Sequence, residues 1–212
     1  MNNSAETTIY FVRHGQTAAN ATGVIQGQTD VLLDETGLAQ AKLVGARLKK
    51  RHFDAIYSSD LTRAMVTARE IADGREIIAT PQLREWHLGH WQGKNIEQIK
   101  IDYPEEYRKL SSDAADCTIQ DGESSAEFQQ RASGFMQFVA ENHPGETVLA
   151  VSHGGFMVKA LKHVLELDSL KRRPRADNTS IAIFKTADHG KSWQLVRWND
   201  TAHLDSEALD DV

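Results

Sequence analysis

The sequence predicts an α/β protein with helices on both faces of a mostly parallel sheet. Three observations carry that prediction. Short runs rich in β-branched and aromatic residues recur at Ile9 to Val12, Ala55 to Tyr57 and Val148 to Val151. Each is followed, after a turn or loop, by apolar residues at helical spacing. Polar turn sequences, Arg13-His14-Gly15, Ser58-Ser59-Asp60 and Ser152-His153-Gly154-Gly155, stand where the strands end.

In chain order, the Ile9 run leads through a loop to a helix from about Glu35 to Lys50. Asp34 is its candidate N-cap, and Leu38, Ala41, Val44 and Leu48 form its apolar stripe. After the strand at Ala55, Ser58-Ser59-Asp60 supplies cap candidates for a helix from Leu61 to Ala72. The stretch from Trp86 to Glu123 breaks the alternation. It holds Trp86, Trp91, Tyr103 and Tyr107, short helical pieces near Ile96 and Tyr107, and no strand pattern, and it reads as a lid or side excursion. Ser124 and Glu127 then fit a capping box, and Phe128, Ala132, Phe135 and Val139 mark one face of a long helix. The strand at Val148 leads into a helix to about Glu166. Ile181 to Phe184 and Gln194 to Trp198, joined through Asp188-His189-Gly190, read as a hairpin. The tail from Asp205 to Val212 is acidic and expected to fray. One domain spanning 1–212 is the expected organisation for a chain of 212 residues.

Composition narrows the function classes. A formal charge of -6 argues against a surface built for nucleic acid. No stretch approaches the roughly 18 apolar residues of a membrane span, and the first residues carry neither a basic nor an apolar leader run. A lone cysteine, Cys117, fits a reducing compartment, so a soluble cytoplasmic protein is expected.

In open α/β sheets ligands bind beyond the carboxyl ends of the strands, where loops and helix N-termini converge. Arg13, His14, Arg63, His153 and Glu85 all fall at such positions. Arginine presents a planar fork of donors matched to phosphate oxygens and keeps its charge. A neutral imidazole is a competent nucleophile near neutral pH, and a partly desolvated glutamate can protonate a leaving alcohol and then activate water. Such a site needs neither metal nor cofactor. His87 and His90 beside Glu85 lack the spacing of a metal-binding helix and read as a pocket edge or exposed surface. Lys171-Arg172-Arg173-Pro174-Arg175 reads as a solvated loop, the alternative being a site for a second anionic group of a substrate. Trp86 and Trp91 read as anchors of the excursion, and Asn178-Thr179-Ser180 as the start of a strand.

The run Arg13-His14-Gly15-Gln16-Thr17-Ala18-Ala19-Asn20 resembles the signature of the histidine phosphatase superfamily, the phosphoglycerate-mutase-like proteins. Gln26-Gly27, Ser58 to Ala64, Leu83-Arg84-Glu85, Gly122-Glu123-Ser124 and Ser152 to Gly155 follow in the family's order, so the resemblance extends from about Ile9 to Phe184. It implies a three-layer α/β/α sandwich with a mixed sheet. It also implies His14 as the phosphorylated nucleophile, Arg13, Arg63 and His153 as a clamp on the phosphoryl oxygens, and Glu85 as proton donor and later base. Thr17, Asn20, Gln26, Gly27 and Gly154 fall where the family binds phosphate and substrate. Trp86-His87-Leu88-Gly89 after the glutamate is similar to the phosphatase branch. The activity implied is a metal-independent hydrolase of the histidine acid phosphatase type, EC 3.1.3.-, acting on a small phosphorylated metabolite such as a sugar phosphate or phosphoglycerate. The alternatives are a phosphoglycerate-mutase-type phosphotransferase and a catalytically inactive phosphoryl-binding module. A homodimer is reasonable on the same resemblance.

Overall fold

A computed structural model describes residues 6–111 and 117–205. The expected fraying from 206 onward lies outside the described residues, as does the part of the excursion at 112–116. Strand β1 (Thr7–Arg13) is followed by a one-turn helix α1 (Ala18–Thr22), then α2 (Glu35–Leu48), β2 (Ala55–Ser59), α3 (Thr62–Ala72) and a short β3 (Ile78–Thr80). The excursion contributes α4 (Ile96–Asp102) and α5 (Pro104–Ser111), and α6 (Ser125–Asn142), β4 (Thr147–Ser152), α7 (Gly154–Val164), β5 (Ile181–Thr186) and β6 (Gln194–Asp200) complete the chain.

The six strands order as β3-β2-β4-β1-β5-β6. β1, β2, β3 and β4 pair in parallel, while β5 runs antiparallel to both β1 and β6. Strand alternation divides the core into two. Ile9, Phe11, Val148 and Ala150 face Phe128, Phe135 and Met136 of α6 and Phe156 of α7. Tyr10, Val12, Leu149 and Val151 face Val44 and Leu48 of α2 and Ala64, Ala68 and Ile71 of α3. The excursion joins the first core through Trp86, Trp91, Ile99, Cys117 and Ile119. This is the expected architecture: a mostly parallel sheet between two helical layers. No helix among the described residues is long and apolar enough to cross a membrane.

The capping expectations hold at Asp34, whose Oδ1 accepts the Gly37 N–H at 2.7 Å, and at Ser124 with Glu127. They fail at Ser58-Ser59-Asp60. Ser58 and Ser59 remain in β2 and Asp60 pairs with Arg84, so α3 starts from Leu61 with no side-chain cap of its own. Asp30, from a distant loop, takes the Thr62 N–H at 2.8 Å instead. Leu38 is 44% exposed, and the buried stripe of α2 runs through Gly37, Ala41, Val44, Gly45 and Leu48. Strand β3 and helix α1 are additions to the predicted elements. β3 is three residues long at the sheet edge, and α1 is a single turn held by a Thr17-Asn20 capping box. The helix expected to reach Glu166 ends at Val164, because Glu166 adopts a left-handed φ of 52°.

Candidate active site

The register of two strands builds the centre of the site. Arg13 of β1 pairs with Ser152 of β4, and the His14 N–H donates to the Ser152 carbonyl at 3.0 Å. The residues that follow, His14 and His153, therefore leave the sheet side by side, with ring centroids 5.0 Å apart. Both are buried. The Gly15-Gln16 turn that aims His14 packs against the start of α2 so closely that a Cβ on Gly15 would stand 2.4 Å from the Gly37 carbonyl oxygen. Thr67 of α3 accepts the Gly15 N–H, and Asn178 donates its amide to the His14 carbonyl at 3.0 Å.

Hydrogen bonding fixes the His14 tautomer. Its Nδ1 lies 2.7 Å from the Gly15 carbonyl, which can only accept, so Nδ1 carries the proton and Nε2 keeps its lone pair. Burial, then the charges of Arg13 and Arg63, hold His14 well below its ordinary pKa, so the ring is neutral at pH 7. His153 is depressed by burial and by Arg63 in the same way. Its Nε2 meets Ser59 Oγ at 2.9 Å, and its Nδ1 is buried with no hydrogen-bond partner among the described residues.

The two arginines are held by backbone carbonyls. Arg13 donates to Ala176 at 2.6 Å; Arg63, almost fully buried on α3, donates to Thr29 at 2.8 Å and Gly27 at 2.7 Å. Neither forms an ion pair among the described residues; burial pushes Arg63 down to about 10, and Glu85 is the main opposing charge for both arginines. The Nε of each is buried without a partner among the described residues. Two buried cations sharing one nearby carboxylate are costly, so this arrangement favours a further anion.

Glu85 enters from the first turn of the excursion. Its two carboxylate oxygens accept the backbone N–H groups of Trp86 and Gly155, each at 2.8 Å, the latter at the start of α7. Only glycine fits there, since a Cβ on Gly155 would stand 2.1 Å from Glu85 Oε1. Arg131 of α6, which the sequence gave no reason to single out, steadies this segment. It donates to the carbonyls of Gln82, Arg84 and Glu85 and forks onto the Glu123 carboxylate at 2.9 and 2.7 Å.

A cavity of about 160 Å3 is lined by Arg13, His14, Arg63 and Glu85, by Asn20, Gln26 and Gly27, and by an apolar rim of Val24, Ile25, Trp86, Leu88 and Leu110, with Arg173 at its edge. Thr17 and Gly154 do not line it. Thr17 is fully buried and holds Asn20 and Gln26 through its hydroxyl, while Gly154 packs beside the Arg13 guanidinium. His153 touches the cavity only through its neighbour His14. Trp91 is a buried anchor, whereas Trp86 both anchors, donating Nε1–H to the Glu123 carbonyl, and lines. His87 lies off the cavity, its backbone bonded to Glu123. The basic cluster divides: Arg175 pairs with Asp177, and Arg173 reaches the site. Arg173 is both solvent-exposed, as the solvated-loop reading expects, and at the cavity edge, where the α7–β5 connection passes the strand ends.

Comparison with known proteins agrees with this geometry. The chain is 37% identical over 202 residues to phosphoglycerate mutase-like protein 4 of Arabidopsis thaliana, covering 93% of this chain and 86% of that one. It is 36% identical to the metal-independent phosphoserine phosphatase of the same organism, covering 96% and 85%. Among solved structures, phosphoserine phosphatase of Entamoeba histolytica in complex with 3-phosphoglyceric acid superposes with a TM-score of 0.84 at 32% identity, covering 93% of this chain and 99% of that one. Mycobacterial glucosyl-3-phosphoglycerate phosphatase gives 0.79 at 29%, covering 92% and 99%. Together these relatives support an enzyme of phosphatase or mutase-like activity. The sequence model of the histidine phosphatase superfamily, branch 1, matches residues 9–201, nearly the whole span over which the strands, the paired histidines and the arginines assemble, and the chain belongs to that superfamily.

Proposed function

We propose that the protein hydrolyses a small phosphomonoester without a metal, through a phosphohistidine on His14. The observation that carries this reading is the His14 ring itself: neutral, with its proton placed on Nδ1 by Gly15 and its Nε2 lone pair available in a cavity lined by two arginines. In the first step Nε2 attacks phosphorus, the P–O bond to the alcohol breaks, and Glu85 gives its proton to the departing oxygen. In the second, Glu85 takes a proton from water, whose oxygen attacks phosphorus and frees His14. Arg13 and Arg63 hold the phosphoryl oxygens and offset the charge that moves onto them. Ser59, by donating to His153 Nε2, would keep the His153 proton on Nδ1, an N–H with no partner among the described residues in the ring packed against His14. Asn20, Gln26 and Gly27 complete the wall. The named substrates of the phosphatase relatives support a small phosphorylated substrate.

The test is phosphate release in the presence of chelator, with acid-quench trapping. The wild-type protein is expected to release phosphate and to carry an acid-labile phosphoryl group, and H14A to do neither, with activity down by at least about a thousandfold. Retained activity in H14A would exclude His14 as the nucleophile. The mutase names of several relatives keep a phosphotransferase as the second reading. Isomer formation from 3-phosphoglycerate with a bisphosphorylated primer, in place of free phosphate, would favour it.

A further inference from the structure

Arg63 is the buried cation of the proposed phosphoryl clamp, and its guanidinium is aimed from outside α3. Nη1 and Nη2 donate to the Thr29 and Gly27 carbonyls at 2.8 and 2.7 Å. The turn from Gln26 to Thr29, closed by the Thr29 N–H on the Gln26 carbonyl at 3.0 Å, therefore sets the direction of the fork. That turn is held by the excursion. Gly93 donates to the Ile25 carbonyl at 2.8 Å and Ile25 donates to the Lys94 carbonyl at 2.9 Å. Gln92 reaches further along the turn with its side chain, whose Oε1 accepts the Gln28 N–H at 2.8 Å. A backbone N–H can only donate, so the oxygen of the Gln92 amide is the end that faces the turn. Gly27 has a left-handed φ of 51°, and a Cβ on it would stand 2.2 Å from Gln92 Oε1. Glycine at 27 and glutamine at 92 thus fit one shape. Gly27 lines the cavity and Gln92 does not.

We propose that Gln92 is a positioning residue for Arg63, acting through the Gln26 to Thr29 turn. The excursion, which walls the cavity with Trp86, Leu88 and Leu110, would then also set the aim of the cation that grips the phosphoryl group. This rests on the reading of Arg63 as part of a phosphoryl clamp. Without the Gln92 oxygen the Gln28 N–H loses its acceptor, and the two carbonyls that orient Arg63 move with the turn. A planar fork displaced by about an ångström no longer meets the phosphoryl oxygens in parallel hydrogen bonds. A second route exists, since the Gln28 side-chain amide donates to the Glu85 carbonyl at 3.1 Å, and the test separates the two.

Inorganic phosphate probes the clamp without turnover. By calorimetry, Q92L, which keeps the bulk of the side chain and removes its acceptor, is expected to raise the phosphate Kd at least about fivefold. In an R63M background the same change should cost less than about twofold, because the cation through which Gln92 acts is gone. Turnover should fall by about tenfold or more on alkyl phosphates and on p-nitrophenyl phosphate alike, since both place the same phosphoryl group in the clamp. If Q92L does not fold, Q92A removes the same acceptor without added bulk and is read in its place. An unchanged phosphate Kd, or an equal loss with and without Arg63, would overturn the proposal. So would a loss of turnover confined to alkyl phosphates, which would place the action of Gln92 at Glu85. If the wild-type protein binds phosphate but hydrolyses no ester, and Q92L weakens binding only when Arg63 is present, the hydrolase reading falls and the positioning role stands. If esters are hydrolysed and Q92L leaves the phosphate Kd unchanged, the reverse holds. Wild-type protein that binds no phosphate would remove both.

Discussion

At the scale of single residues, chemistry follows from where protons are held. His14 donates from Nδ1 to a carbonyl that cannot donate back, which makes Nε2 the reactive atom without any further partner. Burial and two cations depress its pKa from 6.5. Since the neutral ring attacks, kcat/KM should show no loss attributable to His14 between pH 7 and pH 6.5, and its acidic limb should lie well below that range. A pH–rate profile with an acidic limb at the ordinary histidine value would contradict the burial argument. In the proposed mechanism Glu85 acts on the other side of the bond. E85Q should lower kcat for alkyl phosphates by about 10²–10⁴-fold, the usual scale of general acid catalysis, while p-nitrophenyl phosphate, whose leaving group needs no proton, loses far less. Parallel steady-state kinetics on the two substrates decide it, and equal losses would remove Glu85 from the acid's role.

At the scale of elements, the site is a junction. The turn after β1 is pinned from three sides: by Thr67 of α3, by the α2 start at Gly37, and by Asn178 ahead of β5. The two ends of the excursion are tied together by one side chain of α6. Arg131 gathers the carbonyls of Gln82, Arg84 and Glu85 and the Glu123 carboxylate, so both ends of the excursion and the backbone of Glu85 share one guanidinium. R131M should therefore mimic a weak E85Q: turnover of alkyl phosphates falls by about tenfold or more, consistent with sub-ångström misplacement of a catalytic group, and p-nitrophenyl phosphate is spared. A uniform loss on both substrates would show that Arg131 serves stability alone. The half-buried cap of α2 acts on folding. D34A removes the acceptor for both the Gly37 N–H and the Gln16 amide and should cost about 1 kcal/mol, read as a shift in the urea midpoint.

At the scale of the whole molecule, the segment after β6 closes back on α2 and on Thr179, the residue bonded to the end of the first strand. His203 is buried, with Nδ1 facing the Arg47 guanidinium at 3.3 Å and Nε2 meeting Thr179 Oγ1 at 3.0 Å. Arginine only donates, so Nδ1 accepts and Nε2–H donates to Thr179, the residue whose N–H meets the Arg13 and His14 carbonyls. Burial, then the Arg47 charge, push His203 down to about 4. A depressed pKa means that the unfolded chain takes up the proton first as pH falls. The stability contributed by this group is thus complete above pH 6.5 and is lost between 6.5 and 4, by up to about 3 kcal/mol. Urea unfolding at pH 7 and pH 4.5 should show a smaller drop in H203Q than in wild type, and an identical drop would place the acid sensitivity elsewhere.

Much of this was legible in the chain because the signals are local. Apolar runs rich in β-branched and aromatic residues marked the strands, Asp34 and the Ser124–Glu127 capping box marked helix starts, and the ordered motifs around Arg13-His14, Arg63, Glu85 and His153 carried the family. Strand β3, three residues at a sheet edge, and the single turn α1 are too short to show a period. Asp30 capping a helix 32 residues away, Arg131 holding the backbone of Glu85, and Arg173 reaching the cavity edge from a basic loop are contacts between segments far apart in sequence. The sequence by itself determined the layers, the strand ends and the chemical inventory of the site, since these depend on composition and spacing within a few turns. Only the tertiary structure decided which nitrogen of His14 keeps its lone pair, that Thr17 and Gly154 support the cavity without lining it, and which cation of the Lys171 to Arg175 cluster stands at the cavity edge. Tautomers, linings and counter-charges are properties of neighbours in space, fixed by the β1–β4 register and the path of the α7–β5 loop past the strand ends.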